Sequence, residues 1–226
     1  MKAVVYAGTR NLYPGMISAT KSLFTNSTVD KAYLLIEDDE FPYDLPDYVE
    51  TINVSNQKWF HEDGPNYGKD WTYMGLLFAA YPYIFPDLDR ILSMDVDTIV
   101  QHDIADLWDI PLDGYYFSAA PEVHKTKPDF LSTNIGVCML NLKELRDGKA
   151  DEIIHALDTK YFTFITQDAM NNFCQGHILP MSGEYNANSW TKHSDDPKVV
   201  HYAGYVNWMD KPLPRQYRGM DWPKRI

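Results

Sequence analysis

The chain has 226 residues, of which 45% are hydrophobic and 23% are charged. These proportions are typical of a globular protein and exclude the disordered and fibrous classes. The formal net charge is −12 and no basic run is present, so nucleic acid is excluded as an expected partner. The same acidic surplus implies that an anionic ligand needs a bound cation beside it.

No apolar run approaches the roughly 18 residues of a membrane-spanning helix, and the N-terminus lacks the pattern of a signal peptide. Cys138 and Cys174 are far apart and lie in apolar or amphipathic stretches, which is typical of buried thiols in a reducing compartment. We therefore expect a cytoplasmic protein without an integral membrane segment. A length of 226 residues is enough for one sizeable domain, so we also expect a single domain over residues 1–226.

Short apolar runs alternate with helical spacing through the first half of the chain, and the second half is mixed. The pattern predicts strands over residues 3–7, 32–36, 49–54, 90–94, 115–119 and 135–140. It predicts helices over residues 14–26, 71–85, 144–157 and 167–174. Alternation of this kind indicates an α/β fold with a mostly parallel central sheet flanked by helices.

The segment 91–100 is an apolar stretch interrupted by two acids, Asp95 and Asp97. Ligands of open α/β sheets bind at the carboxyl ends of the strands, so both acids are expected to face the binding crevice. Two carboxylates at one strand end can hold Mg²⁺ or Mn²⁺ and leave coordination positions for the phosphates of a substrate.

Three interpretations of these two acids are open from the residues alone. One acid could cap a short helix predicted over 104–108, although Asp103 stands directly before that helix and is the better cap. In a haloacid-dehalogenase-like phosphatase, Asp95 would be the nucleophile and Asp97 the acid/base. That family places the motif on its first strand, whereas 94 residues precede Asp95 here. The third interpretation is a nucleotide-sugar transferase.

Motifs along nearly the whole chain favour the third interpretation. They are the turn at 7–11 with ATKS at 19–22, DVD at 95–97, LWD at 107–109, NIGV at 134–137 with NL at 141–142, QD at 167–168 and HYAG at 201–204. In these motifs the chain resembles glycosyltransferase family 8, the group of glycogenin and bacterial lipopolysaccharide galactosyltransferases. The resemblance implies a GT-A, Rossmann-like fold. It also implies that a hexose, glucose or galactose, passes from a UDP-sugar to a carbohydrate or glycoconjugate hydroxyl, with retention and with Mn²⁺ or Mg²⁺.

The resemblance also implies roles for individual residues. His201 becomes the third protein ligand of the metal beside Asp95 and Asp97, and Gln167 and Asp168 lie at the reacting sugar. From the residues alone, Asp168 serves the helix N-terminus equally well. Residues 1–110 are expected to bind the nucleotide and residues 111–226 the sugar and acceptor. Donor contacts are expected from Ala7, Thr9, Asn11, Asp95, Val96, Asn134, Gly136, Gly204 and Lys211.

Three positions depart from the family pattern. Phe78 stands where a basic residue usually faces the donor, and Lys69 is the basic residue just upstream. Asn207 stands where a lysine usually follows the glycine, with Lys211 four residues later, and Thr9 replaces an aspartate that reads uracil in several relatives. A basic group at a leaving diphosphate is worth about 2–4 kcal/mol by analogy with other charge-stabilising groups. A nucleotide-sugar binding protein with weakened catalysis is therefore an alternative.

Overall fold

The computed structural model describes residues 1–68 and 72–224. The strands are β1 (Ala3–Ala7), β2 (Lys31–Ile36), β3 (Val49–Asn53), β4 (Arg90–Met94), β5 (Thr98–Val100), β6 (Phe117–Pro121), β7 (Thr133–Asn141), β8 (Ile178–Pro180) and β9 (Val199–His201). The α-helices are α1 (Tyr13–Asn26), α2 (Tyr81–Ile84), α3 (Leu142–Leu145), α4 (Lys149–Thr159), α5 (Ile165–Phe173) and α6 (Pro212–Gly219). Short 3-10 helices occupy Arg10–Leu12, Tyr73–Ala80, Ala105–Asp109, Gly183–Tyr185 and Trp208–Asp210. Across the described ranges, none of the helices has both the length and the apolar character that crossing a bilayer requires.

A seven-stranded central sheet has the order β3-β2-β1-β4-β7-β6-β8. Only β7 runs against the other six strands. Alternate residues of β1 pack on opposite faces: Val4 joins Met16 and Leu23 of α1, and Val5 joins Leu77 on the other face. Because both faces are covered, β1 is apolar throughout. The predicted single-domain α/β fold with a mostly parallel sheet is confirmed.

Both cysteines are free and buried, as predicted. Burial raises the pKa of the Cys174 thiol to about 12 and raises that of Cys138 as well. At neutral pH both side chains are therefore protonated and belong to the apolar core.

Two predicted helices are interrupted in the structure. The segment predicted as one helix over 71–85 contains the 3-10 helix Tyr73–Ala80 followed by α2. Pro82 lacks the N–H that would bond to the carbonyl of Phe78, so an α-helical ladder cannot continue there. The helix predicted over 144–157 is divided into α3 and α4 before Gly148, whose φ of 86° lies in the left-handed region. Trp71 and Lys69 lie outside the described residues.

The apolar stretch around the two acids is divided between two sheets. β4 lies in the central sheet, whereas β5 pairs antiparallel with β9 in a separate two-stranded sheet. The register of that small sheet sets Thr98 opposite His201. The turn at residues 95–97 therefore joins two sheets, and a residue from near the end of the chain lies beside it.

Asp103 lies at the start of the 3-10 helix Ala105–Asp109. Its Oδ1 accepts hydrogen bonds from the Ser27 hydroxyl at 2.7 Å, from the N–H of Ala105 at 3.0 Å and from the N–H of Thr28 at 3.2 Å. The Ser27 hydrogen bond, followed by smaller contributions, holds the pKa of Asp103 below its ordinary value. The cap residue is Ile104 and not Asp103 as predicted, but the Asp103 side chain still accepts the first N–H of this helix, that of Ala105, so neither acid of the 95–97 turn is needed there.

We expect Asp103→Ala to lower the free energy of unfolding by about 1 kcal/mol, because two N–H groups lose their acceptor. A carboxylate whose pKa is lowered by folding stabilises the folded state above its unfolded pKa, and this contribution is lost as the pH falls through the folded pKa. The difference between wild type and variant should therefore be complete at neutral pH and shrink below about pH 4. Urea unfolding followed by tryptophan fluorescence at several pH values measures it, and a pH-independent difference would contradict the assignment.

Candidate active site

The backbone of the turn at residues 95–97 is held by hydrogen bonds on both sides. The N–H of Asp95 donates to the carbonyl of Gly136 in β7 at 2.7 Å. On the other side, the Thr98 hydroxyl donates to the carbonyl of Asp95 at 2.7 Å. Both carboxylates therefore project from a defined backbone at the carboxyl end of β4, as the sequence predicted.

His201 lies next to these two carboxylates because β9 pairs with β5, and the N–H of Tyr202 donates to the carbonyl of Asp97 at 2.9 Å. The Nε2 of His201 is 3.2 Å from Oδ1 of Asp97 and 3.6 Å from Oδ2 of Asp95. One ligand atom of each residue lies within 4.8 Å of the other two. The His201 side chain is 3% exposed and that of Asp95 is 59% exposed. The cluster is therefore buried on the His201 side and open to solvent on the Asp95 side. Two carboxylate oxygens and an imidazole nitrogen at this separation fit a divalent cation.

The charges of the cluster influence one another. Although much of the Asp95 side chain is exposed, its inner oxygen is enclosed next to Gly136; desolvation there, with a smaller contribution from the charge of Asp97, raises the pKa of the carboxyl, and His201 opposes the change. Burial by itself lowers the pKa of His201, but the charge and hydrogen bond of Asp97, together with the charge of Asp95, outweigh burial and raise it. A cation bound at this position would compete with the protons of Asp95 and His201.

Gly136 provides the space for this cluster. A Cβ atom at this position would overlap Cε1 of His201 and would lie 2.7 Å from its Nδ1 and 2.9 Å from Oδ2 of Asp95. The imidazole and the carboxylate therefore occupy the volume that any other residue would fill. The sequence predicted Gly136 as a donor contact, and in the structure it also packs directly against two of the three candidate metal ligands.

A chain of buried asparagines supports His201 from behind. The Nδ1 of His201 is 2.7 Å from Oδ1 of Asn186, whose Nδ2 donates to the backbone carbonyl of Asn134 at 3.0 Å and to its Oδ1 at 2.9 Å. Asn188 donates to the carbonyl and to Oδ1 of Asn186, each at 3.1 Å. Asn134 was predicted from the sequence. Asn186 and Asn188 were not, because a buried asparagine in a loop forms no motif.

Gln167, in the first turn of α5, contacts β7, the strand that carries Asn134 and Gly136. Its Oε1 accepts the N–H of Ile135 at 3.4 Å, and its Nε2 donates to Oε1 of Glu122 at 3.4 Å. Ile135 stands between Asn134 and Gly136, so Gln167 and these two predicted donor contacts meet on β7. Glu122 was missed from the sequence, although its side chain is only 2% exposed and pairs with Lys125 at 3.1 Å.

Asp168 has a structural partner of its own. Its Oδ2 accepts the N–H of Phe164 at 2.9 Å, which satisfies a free donor at the start of α5. The helix begins at Ile165, whose φ of 27° is the one positive value among non-glycine residues in the described ranges. For a β-branched residue such a φ costs roughly 1–3 kcal/mol. The backbone is thus strained two residues before Gln167.

The turn after β1, which carries the predicted nucleotide contacts, approaches the 95–97 turn at Gly8. Ala7 ends β1, and a Cβ atom at the following Gly8 would lie 3.4 Å from Cγ1 of Val96. The Thr9 hydroxyl donates to Oδ1 of Asn11 at 2.7 Å. The approach of Gly8 to Val96 places the turn after β1 against the turn after β4, at the edge where the carboxyl ends of parallel strands meet.

Residues 204–207, shortly after His201, are exposed to solvent. Gly204 is exposed with a φ of 79°, and Trp190 is 3.5 Å from the position of a Cβ there. Lys211 is exposed, and its Nζ lies 5.5 Å from the centre of the Tyr205 ring. Phe78, in contrast, is buried and packs at a ring distance of 5.5 Å against Tyr81. The position where the family pattern led us to expect a basic residue is therefore part of the core.

A sequence model described as Glycosyl transferase family 8 matches residues 3–211. The chain belongs to glycosyltransferase family 8. This membership supports glycosyl transfer, and not phosphate-ester hydrolysis, as the type of reaction.

One sequence relative and two solved structures illustrate what this chain is similar to, and all three are named as glycosyltransferases of some kind. The lipopolysaccharide 1,2-glucosyltransferase of Escherichia coli strain K12 is 26% identical over 172 residues, which are 62% of this chain and 51% of that protein. The galactosyltransferase LgtC, solved with donor and acceptor sugar analogues, superposes with a TM-score of 0.71 at 16% identity, covering 96% of this chain and 95% of LgtC. GlyE of Streptococcus pneumoniae TIGR4 superposes with a TM-score of 0.71 at 19% identity, covering 98% of this chain and 61% of GlyE. The chain spans about half the length of the curated relatives that it matches. The GT-A fold and an enzyme of the glycosyltransferase type are therefore supported.

Proposed function

We propose that the protein is a retaining hexosyltransferase that uses a UDP-sugar and a divalent cation, Mn²⁺ or Mg²⁺. The observation that carries the proposal is the cluster of Asp95, Asp97 and His201 at the carboxyl end of β4, in a chain of family 8. The similarity to a glucosyltransferase and to a galactosyltransferase favours glucose or galactose as the transferred sugar. The acceptor is then a hydroxyl group of a carbohydrate or glycoconjugate.

Asp95, Asp97 and His201 would hold the cation. A divalent cation bound there would neutralise charge on the departing diphosphate, which a protein of net charge −12 otherwise repels. Because Asp95 lies on the solvent-exposed side of the cluster, phosphate oxygens could reach the cation from that side.

We assign the nucleoside to the turn after β1, with Ala7, Thr9 and Asn11 beside Val96. The diphosphate would pass Gly204, where the absence of a side chain permits close approach, and Lys211, whose exposed ammonium group supplies positive charge. In this arrangement residues 1–110 bind the nucleotide and residues 111–226 bind the sugar and acceptor. The two parts share the central sheet, so they are regions of one domain.

The donor sugar would lie between Asn134 and the first turn of α5. The carboxamide of Asn134 can hydrogen-bond sugar hydroxyls without adding charge. Gln167 would stand near the anomeric carbon, where its contact with Ile135 of β7 holds it beside Asn134. Asp168 would contact the sugar through the carboxylate oxygen that does not accept the N–H of Phe164. These groups act mainly by positioning the donor against the acceptor hydroxyl.

The test is a panel of UDP-sugars assayed for donor hydrolysis and for transfer, with Mn²⁺ present and with the metal chelated. We expect one hexose donor to be turned over only with the cation, because the departing diphosphate needs the charge. Anomeric configuration of the product is read by NMR, and inversion would contradict the retaining assignment. Turnover that is equal with and without chelator would contradict the metal role.

A binding protein with weakened catalysis is the second candidate, and the burial of Phe78 in the core favours it. No basic side chain is offered to the donor from that position. This candidate predicts that UDP binds in the presence of Mn²⁺ while every donor in the panel stays intact. The panel therefore separates the two functions.

A further inference from the structure

We propose that Asn186 is a positioning residue that keeps a proton on Nδ1 of His201, directs Nε2 towards Asp95 and Asp97, and ties the imidazole to Asn134. The inference rests on the proposed function only in naming His201 a metal ligand. The orientation of the imidazole is argued from hydrogen bonds alone.

The orientation of the Asn186 carboxamide follows from its partner on β7. Its Nδ2 is 3.0 Å from the backbone carbonyl oxygen of Asn134, and a carbonyl oxygen can only accept a hydrogen bond. The atom facing it must therefore be the NH₂ group. The orientation of Asn134 is fixed in the same way, because its Oδ1 faces the N–H of Gly136 at 3.2 Å, which can only donate.

With Asn186 oriented in this way, its Oδ1 points at Nδ1 of His201 over 2.7 Å. Two lone pairs at that distance repel, so Nδ1 must carry a proton and donate it. Asn188 lies 3.4 Å from the same nitrogen, but its NH₂ group has shorter partners in the carbonyl and Oδ1 of Asn186. The remaining ring nitrogen, Nε2, faces Asp97 and Asp95. Its lone pair is then the one available to a cation.

Burial makes this arrangement rigid. Asn186 is fully buried and His201 is 4% exposed, so water cannot replace a lost partner of Nδ1 without a new cavity. The same carboxamide donates to Oδ1 of Asn134 at 2.9 Å. The Asn186 side chain therefore holds both His201, the proposed metal ligand, and Asn134, the residue proposed to bind the donor sugar. A displacement of one of these two residues would move the other.

Three substitutions test the inference, with Mn²⁺ affinity measured by electron paramagnetic resonance of the free ion. Asn186→Ala should weaken Mn²⁺ binding about 10- to 100-fold, the usual range for a residue that orients a metal ligand. Asn186→Asp keeps an acceptor for Nδ1 and should retain Mn²⁺ affinity while losing the contact with the Asn134 carbonyl. Asn141→Ala is the matched control, because Asn141 is also buried and bonded to two carbonyls, but at the other end of β7. It should lose stability and keep Mn²⁺ affinity.

Imidazole ¹⁵N NMR gives a readout that a purely structural role would not move. In histidine-labelled protein, with the His201 signals assigned by their loss in His201→Gln, Nδ1 should carry a bonded proton both without metal and with Mg²⁺, and Nε2 should have none when Mg²⁺ is bound. An unprotonated Nδ1 in either state, or an Asn186→Ala variant that binds Mn²⁺ like wild type, would overturn the inference. If wild type binds no Mn²⁺ at all, the proposed metal site fails, and the spectrum of the metal-free protein still decides the role of Asn186.

Discussion

Asp97→Asn is expected to reduce metal-dependent donor turnover by roughly 10²- to 10³-fold, because a metal clamp on a leaving diphosphate is worth several kcal/mol. The Asp97 Oδ1 is the carboxylate oxygen nearest to Nε2 of His201, at 3.2 Å. An amide at this position offers a neutral oxygen or an NH₂ group in place of the charged ligand. Mn²⁺ affinity should therefore fall together with turnover.

Asp87→Asn is the matched control for Asp97→Asn. It removes the same charge from an exposed residue that precedes β4, at the opposite end of that strand from the cluster. Its turnover and Mn²⁺ affinity should equal those of wild type. Circular dichroism of both variants establishes that they are folded, and a folded Asp97→Asn protein with normal metal-dependent turnover would contradict the role of this cluster.

Gly136→Ala is expected to abolish Mn²⁺ binding and to lower the free energy of unfolding by about 1–3 kcal/mol, the range for overpacking a filled interior. The added methyl group would overlap the imidazole of His201 and crowd the carboxylate of Asp95. The imidazole cannot retreat freely, because Asn186 holds its Nδ1 at 2.7 Å. Calorimetric titration with Mn²⁺ and urea unfolding measure the two effects on one sample.

Gly219→Ala is the control for Gly136→Ala, because a Cβ atom at Gly219 would have no neighbour within 4 Å. It makes the same chemical change at the end of α6. Mn²⁺ binding should be unaffected there. If Gly136→Ala binds Mn²⁺ as tightly as Gly219→Ala does, the packing account of the cluster is wrong.

The part of the fold that depends on local pattern was predictable from the sequence. The strands beside Asp95 and the helices on both faces follow from apolar runs and their spacing. Two helix interruptions were missed although their signals, Pro82 and Gly148, are visible in the sequence. The prediction followed the apolar spacing, which fits a continuous helix in both segments. It gave too little weight to Pro82, which removes a helix hydrogen bond, and to Gly148, which adopts a left-handed φ.

The candidate site was predictable in part, for a different reason. Asp95 and Asp97 stand at a strand end that can be recognised locally, whereas His201 came from the family resemblance, because the pairing of β5 with β9 leaves no local signal. Asn186 and Glu122 were missed because their roles arise from burial beside a particular partner. The burial of Phe78 likewise depends on tertiary packing.

The pairing of β5 with β9 joins residues 98 and 201, so the chain between them forms a long loop whose closure costs conformational entropy. A cation bound by residues on both sides of that pairing would act as a reversible cross-link and stabilise the closed loop by mass action. Opening of the small sheet and release of the cation would then be one event. Amide hydrogen exchange at β9 would therefore slow with increasing Mn²⁺ concentration.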